Sequence, residues 1–373
     1  MAIAVILAAI VWTALQLERR LPAFKALGAA LVGILLGMLL SNTGVLPGIS
    51  PTYEWLASTG VSLAVALILL NVDIASVRSA GPRMFGAFVI GGVATAVGAM
   101  VAFLVVGQAV GPEAWKLAGQ FTGTYTGGGM NFTALGRALD TSSDLFTAGI
   151  AADVALTAVW MAACLIAPLL LGRRAITGKA TSSAVSSEGD LAQALSSSLR
   201  PLVIADLAAL VTIAIGTLWL AGRLAAWVPF LPEVLWLSTI ALLLAQIPAI
   251  RTLAGGALLG NYLLLLFLAG NGAQSVLANI FRVGPAVFWF AAITIAVHGI
   301  GIFGVGRLFG IDAGTLAVAS QANVGGPASA VALAGARGYT DRVLPGVAVG
   351  LLGYAVGNYS GFLVANLARA WLG

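Results

Sequence analysis

The sequence predicts an all-α membrane protein of about ten transmembrane helices in two inverted repeats, each holding a glycine-interrupted segment that is either re-entrant or a broken crossing helix. Three observations predict it: a composition suited to lipid, ten apolar runs of spanning length, and two polar glycine-broken segments at matching places. Hydrophobic residues fill 60% of the 373 positions and charged residues only 8%, with mean hydropathy +1.04. That is too little charge to cover a water-facing surface. The 47 glycines and 13 prolines fit the same solvent, because neighbouring membrane helices re-satisfy the backbone groups such residues free.

The same composition excludes several functions. The single cysteine, Cys164, permits no intramolecular disulfide, and the single histidine, His298, no histidine-rich metal site. The net charge of +5 comes from basic residues placed singly between apolar runs, which is how membrane proteins fix orientation and not how nucleic acid is bound. Residues 1–17 are apolar, no basic stretch precedes them, and Glu18-Arg19-Arg20 follows. A secretory signal has the opposite polarity, so a retained first helix is expected.

Apolar runs of about the 20 residues a bilayer needs fall near 1–17, 24–42, 54–77, 82–110, 145–171, 199–222, 234–250, 254–278, 285–308 and 343–370. Between them lie two interrupted segments, 115–138 and 312–336, rich in small, hydroxyl and amide side chains around a glycine pair. The polar stretch 172–198, with Arg173, Arg174 and Lys179, reads as a cytoplasmic linker between a first repeat, 1–171, and a second, 199–373. A constant offset of 197 aligns Gly128 with Gly325, Gly129 with Gly326 and Asp144 with Asp341. Each half also runs in the same order: four spans, one interrupted segment, one span.

Charge arbitrates the topology. If both interrupted segments cross, ten Lys and Arg lie inside and eight outside; if both enter and leave on one side, the division is thirteen to five. The second is the clearer positive-inside bias and makes the halves inverted. In that arrangement Lys116, Arg137, Arg223, Arg282 and Arg369 are outside, and Arg251, Arg307, Arg337 and Arg342 are among those inside.

The glycine segments are the expected site. Non-helical backbone at membrane depth must be buried in protein or line a watery cavity. A half-helix starting after a glycine turn points its positive end at that cavity, which suits a carboxylate, while unwound carbonyls suit Na⁺. Thr124, Thr126, Gly128, Gly129 and Asn131 on one side, with Gln321, Asn323, Gly325, Gly326 and Ser329 on the other, are the expected solute-binding residues. Thr122, Thr133 and Ser320 add hydroxyls. The bland alternative is that these glycines merely let helices pack closely, as in GxxxG contacts.

Ionisable residues at depth are the next signal. Asp153 lies about nine residues into its span and follows the first glycine segment, so it is the expected coupling-ion ligand or proton carrier, with Thr133 and Asn358 beside it and Na⁺ as the candidate ion. Its bland reading is a carboxylate bonded to a neighbouring helix. Asp206 with Arg200 as partner, Asp73 as a helix cap, Asn71 and Asn271 as matching polar contacts, and His298 as an interhelical hydrogen bond are the structural readings of the rest. Trp55, Trp115, Trp227 and Trp371 flank spans as interface anchors.

The strings TGTYTGGGMNFTALGRAL (122–139), SQANVGGPASAVALAGARG (320–338) and LPGVAVGLLGYAVGNYSGFLV (344–364) resemble uncharacterised bacterial and plastid membrane proteins grouped as domain of unknown function 819. That family is grouped with cation:proton antiporter and anion-transporter-like proteins, and its duplicated glycine motifs are similar to those of sodium/glutamate and sodium/citrate symporters. The resemblance implies inverted repeats, tip glycines at Gly128, Gly129, Gly325 and Gly326, a homodimer, and a core that slides against a scaffold like an elevator. Met130-Asn131-Phe132 and Pro327-Ala328-Ser329 stand where sodium/glutamate symporters carry GGHGTA-like residues, which argues against glutamate as substrate.

The expected function is Na⁺- or H⁺-coupled symport of a small carboxylate-bearing solute across a bacterial cytoplasmic (inner) membrane. No organic cofactor and no nucleic-acid partner are expected. A cation/proton antiporter without organic substrate, and a channel, stay open as alternatives. No HExxH or GxSxG occurs, so an enzyme is not expected.

Overall fold

The computed structural model describes residues 2–74, 78, 80–171, 201–228, 230–275 and 277–371; the expected linker 172–198 lies outside them. The apolar runs form helices: α1 Ala2–Arg20, α2 Pro22–Asn42, α3 Pro51–Leu69, α4 Gly81–Val110, α5 Ala114–Gly127, α6 Gly129–Ala138 and α7 Ser143–Leu171. After the linker come α8 Ile204–Trp227, α9 Glu233–Ala245, α10 Gly256–Gln274, α11 Leu277–Gly299 (continuing through a widened turn to Leu308), α12 Ala313–Ala336 and α13 Val343–Ala370. No strand occurs among the described residues.

Eight of these helices are long and apolar enough to cross a membrane. The other two expected spans are shorter. Gly28, at φ +73°, breaks α2 and leaves Gly28–Asn42 as its apolar part. In α9 the 13 residues stop before Ile247-Pro248, giving about 20 Å against the roughly 30 Å of a hydrocarbon core.

The two interrupted segments are helical hairpins. α5 and α6 run back along each other: a Cβ on Gly123 would sit 2.4 Å from Leu135 Cδ1, and one on Gly119 would sit 3.3 Å from Leu139 Cδ1. Their open ends are tied where Lys116 Nζ donates to the Asp140 carbonyl (2.6 Å) and the Ser142 amide donates to Glu113 Oε2 (3.0 Å). α12 folds likewise at Gly326, and its ends are tied by an Arg342–Asp312 ion pair at 3.2 Å. The reversing glycines are Gly128 (φ +88°) and Gly326 (φ +73°), an offset of 198 and not the 197 of the glycine-pair alignment. Within each pair only one glycine takes the left-handed backbone that L residues avoid, and it is not the same member in the two pairs.

α13 sets the orientation of both hairpins. Its start touches the second one: Gly346 lies against Val318 and Ala330, and Gly350 against Pro327. Its later turns touch the first: Gly353 against Gly127, Gly357 against Gly123, Gly361 against Gly119, and Arg369 stacks 5.0 Å over Trp115. The hairpins therefore lie tip to tip along one helix and open at its opposite ends. α7 runs beside them in the same way, from Gly149 against Phe132 to Trp160 against Ser320.

The helices sort into two groups, each drawn from both halves of the chain. α4, α5, α6, α7, α11, α12 and α13 form a core around the hairpins; α1, α2, α3, α8, α9 and α10 form a scaffold. Side-chain hydrogen bonds between the groups, among the described residues, reach the core at Ser143, Thr147, Asn358 and Tyr359, all level with the first hairpin. α6 is covered by α3 and α9, whereas the returning leg of α12 leaves Ala328, Ala332, Gly335 and Ala336 exposed.

Candidate functional site

Where the hairpins meet, backbone touches backbone: a Cβ on Gly128 would sit 3.5 Å from the Gly326 amide nitrogen. Tyr354 of α13 closes one flank, with its ring 3.1 Å from the corresponding position on Gly326. Gly129 and Ala328, each at the start of a returning leg, are exposed, so the junction can be approached from outside the core.

Polar side chains collect at this junction without finding partners. Among the described residues eleven buried side-chain N and O atoms have no hydrogen bond, and seven belong to Thr124, Tyr125, Thr126, Asn131, Gln321 (both amide atoms) and Asn323, all within five residues of a reversing glycine. Each such atom costs about 1–3 kcal/mol, and native interiors hold few of them. The half-satisfied amides show which atoms are free. Asn131 Nδ2 donates to the Gly353 carbonyl (3.2 Å) and Asn323 Nδ2 to the Phe88 carbonyl (3.3 Å), leaving both Oδ1 atoms open. Gln321 has neither atom paired.

Asp153 reaches the first tip from α7. Its Oδ2 lies 4.0 Å from where a Cβ on Gly129 would be, at the positive end of α6, and its Oδ1 accepts from Thr157 Oγ1 at 3.4 Å. The Thr124 and Tyr125 hydroxyls face it without closing a hydrogen bond. Thr133 bonds back to the Gly129 carbonyl at 3.3 Å, and Ser329 stands partly exposed beside Gly325. Asn358 points elsewhere, donating to Ser238 of the scaffold at 3.1 Å.

His298 braces the two hairpins. Its Nδ1 lies 3.0 Å from the Gly91 carbonyl, which can only accept, so Nδ1 carries the proton and in the neutral ring Nε2 accepts from Ser320 Oγ at 2.9 Å. Ser320 accepts in turn from Trp160 Nε1 (2.9 Å), and Thr95 links His298 to the Tyr125 carbonyl at 3.0 Å. The expected interhelical role of His298 is the one seen. Thr95, Trp160, Tyr125 and Tyr354 were not among the expected site residues. Tyr125 stands inside the first glycine segment itself, while the other three gave only the signal of a lone polar or aromatic group within an apolar span.

The remaining polar expectations fall in structural places. Asp73 pairs with Arg251 at 2.9 Å, Asp206 accepts from the Ala254 amide, and Arg200 lies outside the described residues. Asn71 donates to the Arg251 carbonyl (3.0 Å) within the scaffold, while Asn271 donates to Thr147 (2.9 Å) across to the core. A separate cavity of about 340 Å³ lies at the open end of the first hairpin, between Trp115, Asp140 and Arg369 of the core and Phe230 and Pro232 of the scaffold.

This chain is 28% identical over 381 residues to "Uncharacterized membrane protein YjcL" of Bacillus subtilis (strain 168), with 97% of this chain and 96% of the relative covered. With its eight long apolar helices, it is a multi-pass membrane protein. The description "Protein of unknown function (DUF819)" matches residues 1–371, and the chain belongs to that family.

Proposed function

We propose that this protein is a secondary active transporter, a Na⁺- or H⁺-coupled symporter of a small carboxylate-bearing solute, built from two inverted repeats whose hairpins enter the membrane from opposite sides. One observation carries the reading: seven unpartnered buried polar atoms sit within five residues of the two reversing glycines, Gly128 and Gly326, with Asp153 beside one tip and Gln321 beside the other. Interior polar atoms left without partners are retained where a guest supplies the missing bonds. Membrane-depth breaks of this kind are where transporters hold solutes and ions.

In this mechanism Asn131, Asn323, Gln321, Ser329 and the Thr124 and Thr126 hydroxyls orient the solute. Among the described residues no three His, Cys, Asp or Glu come together, so Na⁺ would rest on the Asp153 carboxylate and neutral oxygens, or a proton on Asp153 itself. Loading satisfies the junction and lets the core move as a body, while a half-loaded core exposes polar groups to lipid and is held back. Displacement of core against scaffold is supported by their unequal contact: the first hairpin is covered and bonded, the returning leg of the second is free.

Purified protein in liposomes should take up a carboxylate solute only under an inward Na⁺ or proton gradient, and Asp153→Asn should abolish or uncouple that uptake. Gradient-driven uptake unchanged in Asp153→Asn would remove Asp153 from the mechanism. Na⁺/H⁺ exchange with no solute requirement would replace symport with antiport, and conductance without gradient coupling would make the protein a channel.

A further inference from the structure

The two tips look alike in sequence, but their chemical surroundings differ. Each returning leg is a helix of ten residues starting at the junction, Gly129–Ala138 in one hairpin and 327–336 in the other. Each presents its first backbone N–H groups and the positive end of its dipole there. At the first tip the protein supplies its own carboxyl group, since Asp153 Oδ2 stands beside Gly129. A solute carboxylate there would compete with it for the same donors and, when Asp153 is ionised, meet like charge at short range.

At the second tip the neighbours are neutral donors. Gln321 is fully buried with both amide atoms unpartnered, and its Oε1 lies 3.5 Å from the Cβ position of Gly325, where Ser329 Oγ also converges at 2.2 Å from that position. An amide rotates to present Nε2 as readily as Oε1. Pro327 has no N–H, so the free backbone donors of this leg are those of Ala328, which is exposed, and Ser329, which is partly so. No Lys or Arg lies near either tip in the chain: Arg137 and Arg337 stand at the open ends of their hairpins.

We infer that the tips divide the charge. The second hairpin, through Gln321, Ser329 and the start of its returning leg, takes the carboxylate of the solute; the first, through Asp153, takes the cation. The solute is therefore a monocarboxylate. One helix end offers about half a positive charge, matched to one carboxylate, and among the described residues the junction has no guanidinium or ammonium group for a second. This deepens the symport reading and rests on it.

The test is equilibrium binding to purified protein in Na⁺ buffer. The probes are acids of two to six carbons with a single carboxylate (acetate to hexanoate and their hydroxy, keto and amino derivatives), with succinate, citrate and choline for comparison. The expected result is binding within the monocarboxylate set, weakened about tenfold or more by Ser329→Ala and Gln321→Leu, as for loss of a hydrogen bond to a charged group. Gln321→Glu should eliminate that binding by like charge. Ligand-free Gln321→Leu should melt at or above wild type, because it removes two unpartnered polar atoms, so lost binding there is not misfolding. Binding of succinate, citrate or choline in place of the monocarboxylates overturns the inference and leaves the transporter. So does monocarboxylate binding that is indifferent to Gln321 and Ser329. Absence of any solute binding, together with Na⁺/H⁺ exchange in liposomes, overturns both.

Discussion

Glycines in this chain do two different jobs, and the distinction is made residue by residue. Gly119, Gly123 and Gly127 of α5 face Gly353, Gly357 and Gly361 of α13, two ladders at four-residue spacing pressed backbone to backbone. Here the close-packing reading of glycine holds. Gly128 and Gly326 instead reverse the chain. A Cβ on Gly127 would fall 2.0 Å from the Gly353 carbonyl oxygen, whereas one on Gly222 of α8 meets nothing within 4 Å. Gly127→Ala should therefore destabilise by roughly 1–3 kcal/mol, as overpacking does, and lower the melting temperature in detergent by several degrees. Gly222→Ala should stay within about 1 kcal/mol of wild type. Equal melting of the two variants would mean that α5 does not lie against α13. The four-residue spacing is plain in the sequence, but it cannot say which glycines touch and which turn.

At the scale of the element, each hairpin is closed at its open end by charge. Asp312 caps α12, accepting from the Thr315 amide (2.9 Å) and hydroxyl (2.6 Å) and pairing with Arg342. Partial burial pushes its carboxyl up, but the Thr315 hydrogen bonds and the Arg342 charge outweigh that and hold it below the ordinary carboxylate value. A carboxyl lowered on folding contributes stability above its unfolded pKa, and loses it as pH falls through the folded value. Asp312→Ala should cost about 1 kcal/mol at pH 7, as lost N-caps do. The gap in melting temperature from wild type should then shrink once the pH drops below about 4. A gap that widens on acidification would show that Asp312 is not held as a carboxylate. A cap of this kind is readable in advance from Asp312 and Thr315, three residues apart. The Arg342 partner is not, being thirty residues away across a fold-back.

For the whole molecule, the decisive arrangement is two hairpins opening at opposite ends of α13. If that helix lies across a bilayer, Asp140 and Gly338 face opposite aqueous sides. In a Cys164→Ser background, Asp140→Cys should react with a membrane-impermeant maleimide only from outside, and Gly338→Cys only from inside. Labelling of both from one side would rule out the proposed inverted arrangement, and with it the two-sided access that the proposed transport would need. The charge count expects this sidedness, with Lys116 and Arg369 outside and Arg342 inside. Lys116 and Arg369 do meet at one end of α13 and Arg342 at the other, brought there by Trp115, Asp140 and Asp312. Which helices make the core and which the scaffold was not legible in the chain, because each group mixes helices from both halves.

The sequence by itself determined what depends on composition and local backbone chemistry: a lipid-solvated helical chain, the positions of its apolar runs, and two segments whose glycines cannot sustain a straight helix. Residues as far apart as Gly128 and Gly326, or Asp153 and Gly129, come together only through packing. Tertiary structure alone decided that the tips touch, that Asp153 stands at the start of α6 and not of the second returning leg, and that Asn358 turns to the scaffold. The reason is that periodicity reports which face of a helix is apolar, while the choice of neighbour is made by shape, one glycine ladder fitting another, and shape exists only once the chain has folded.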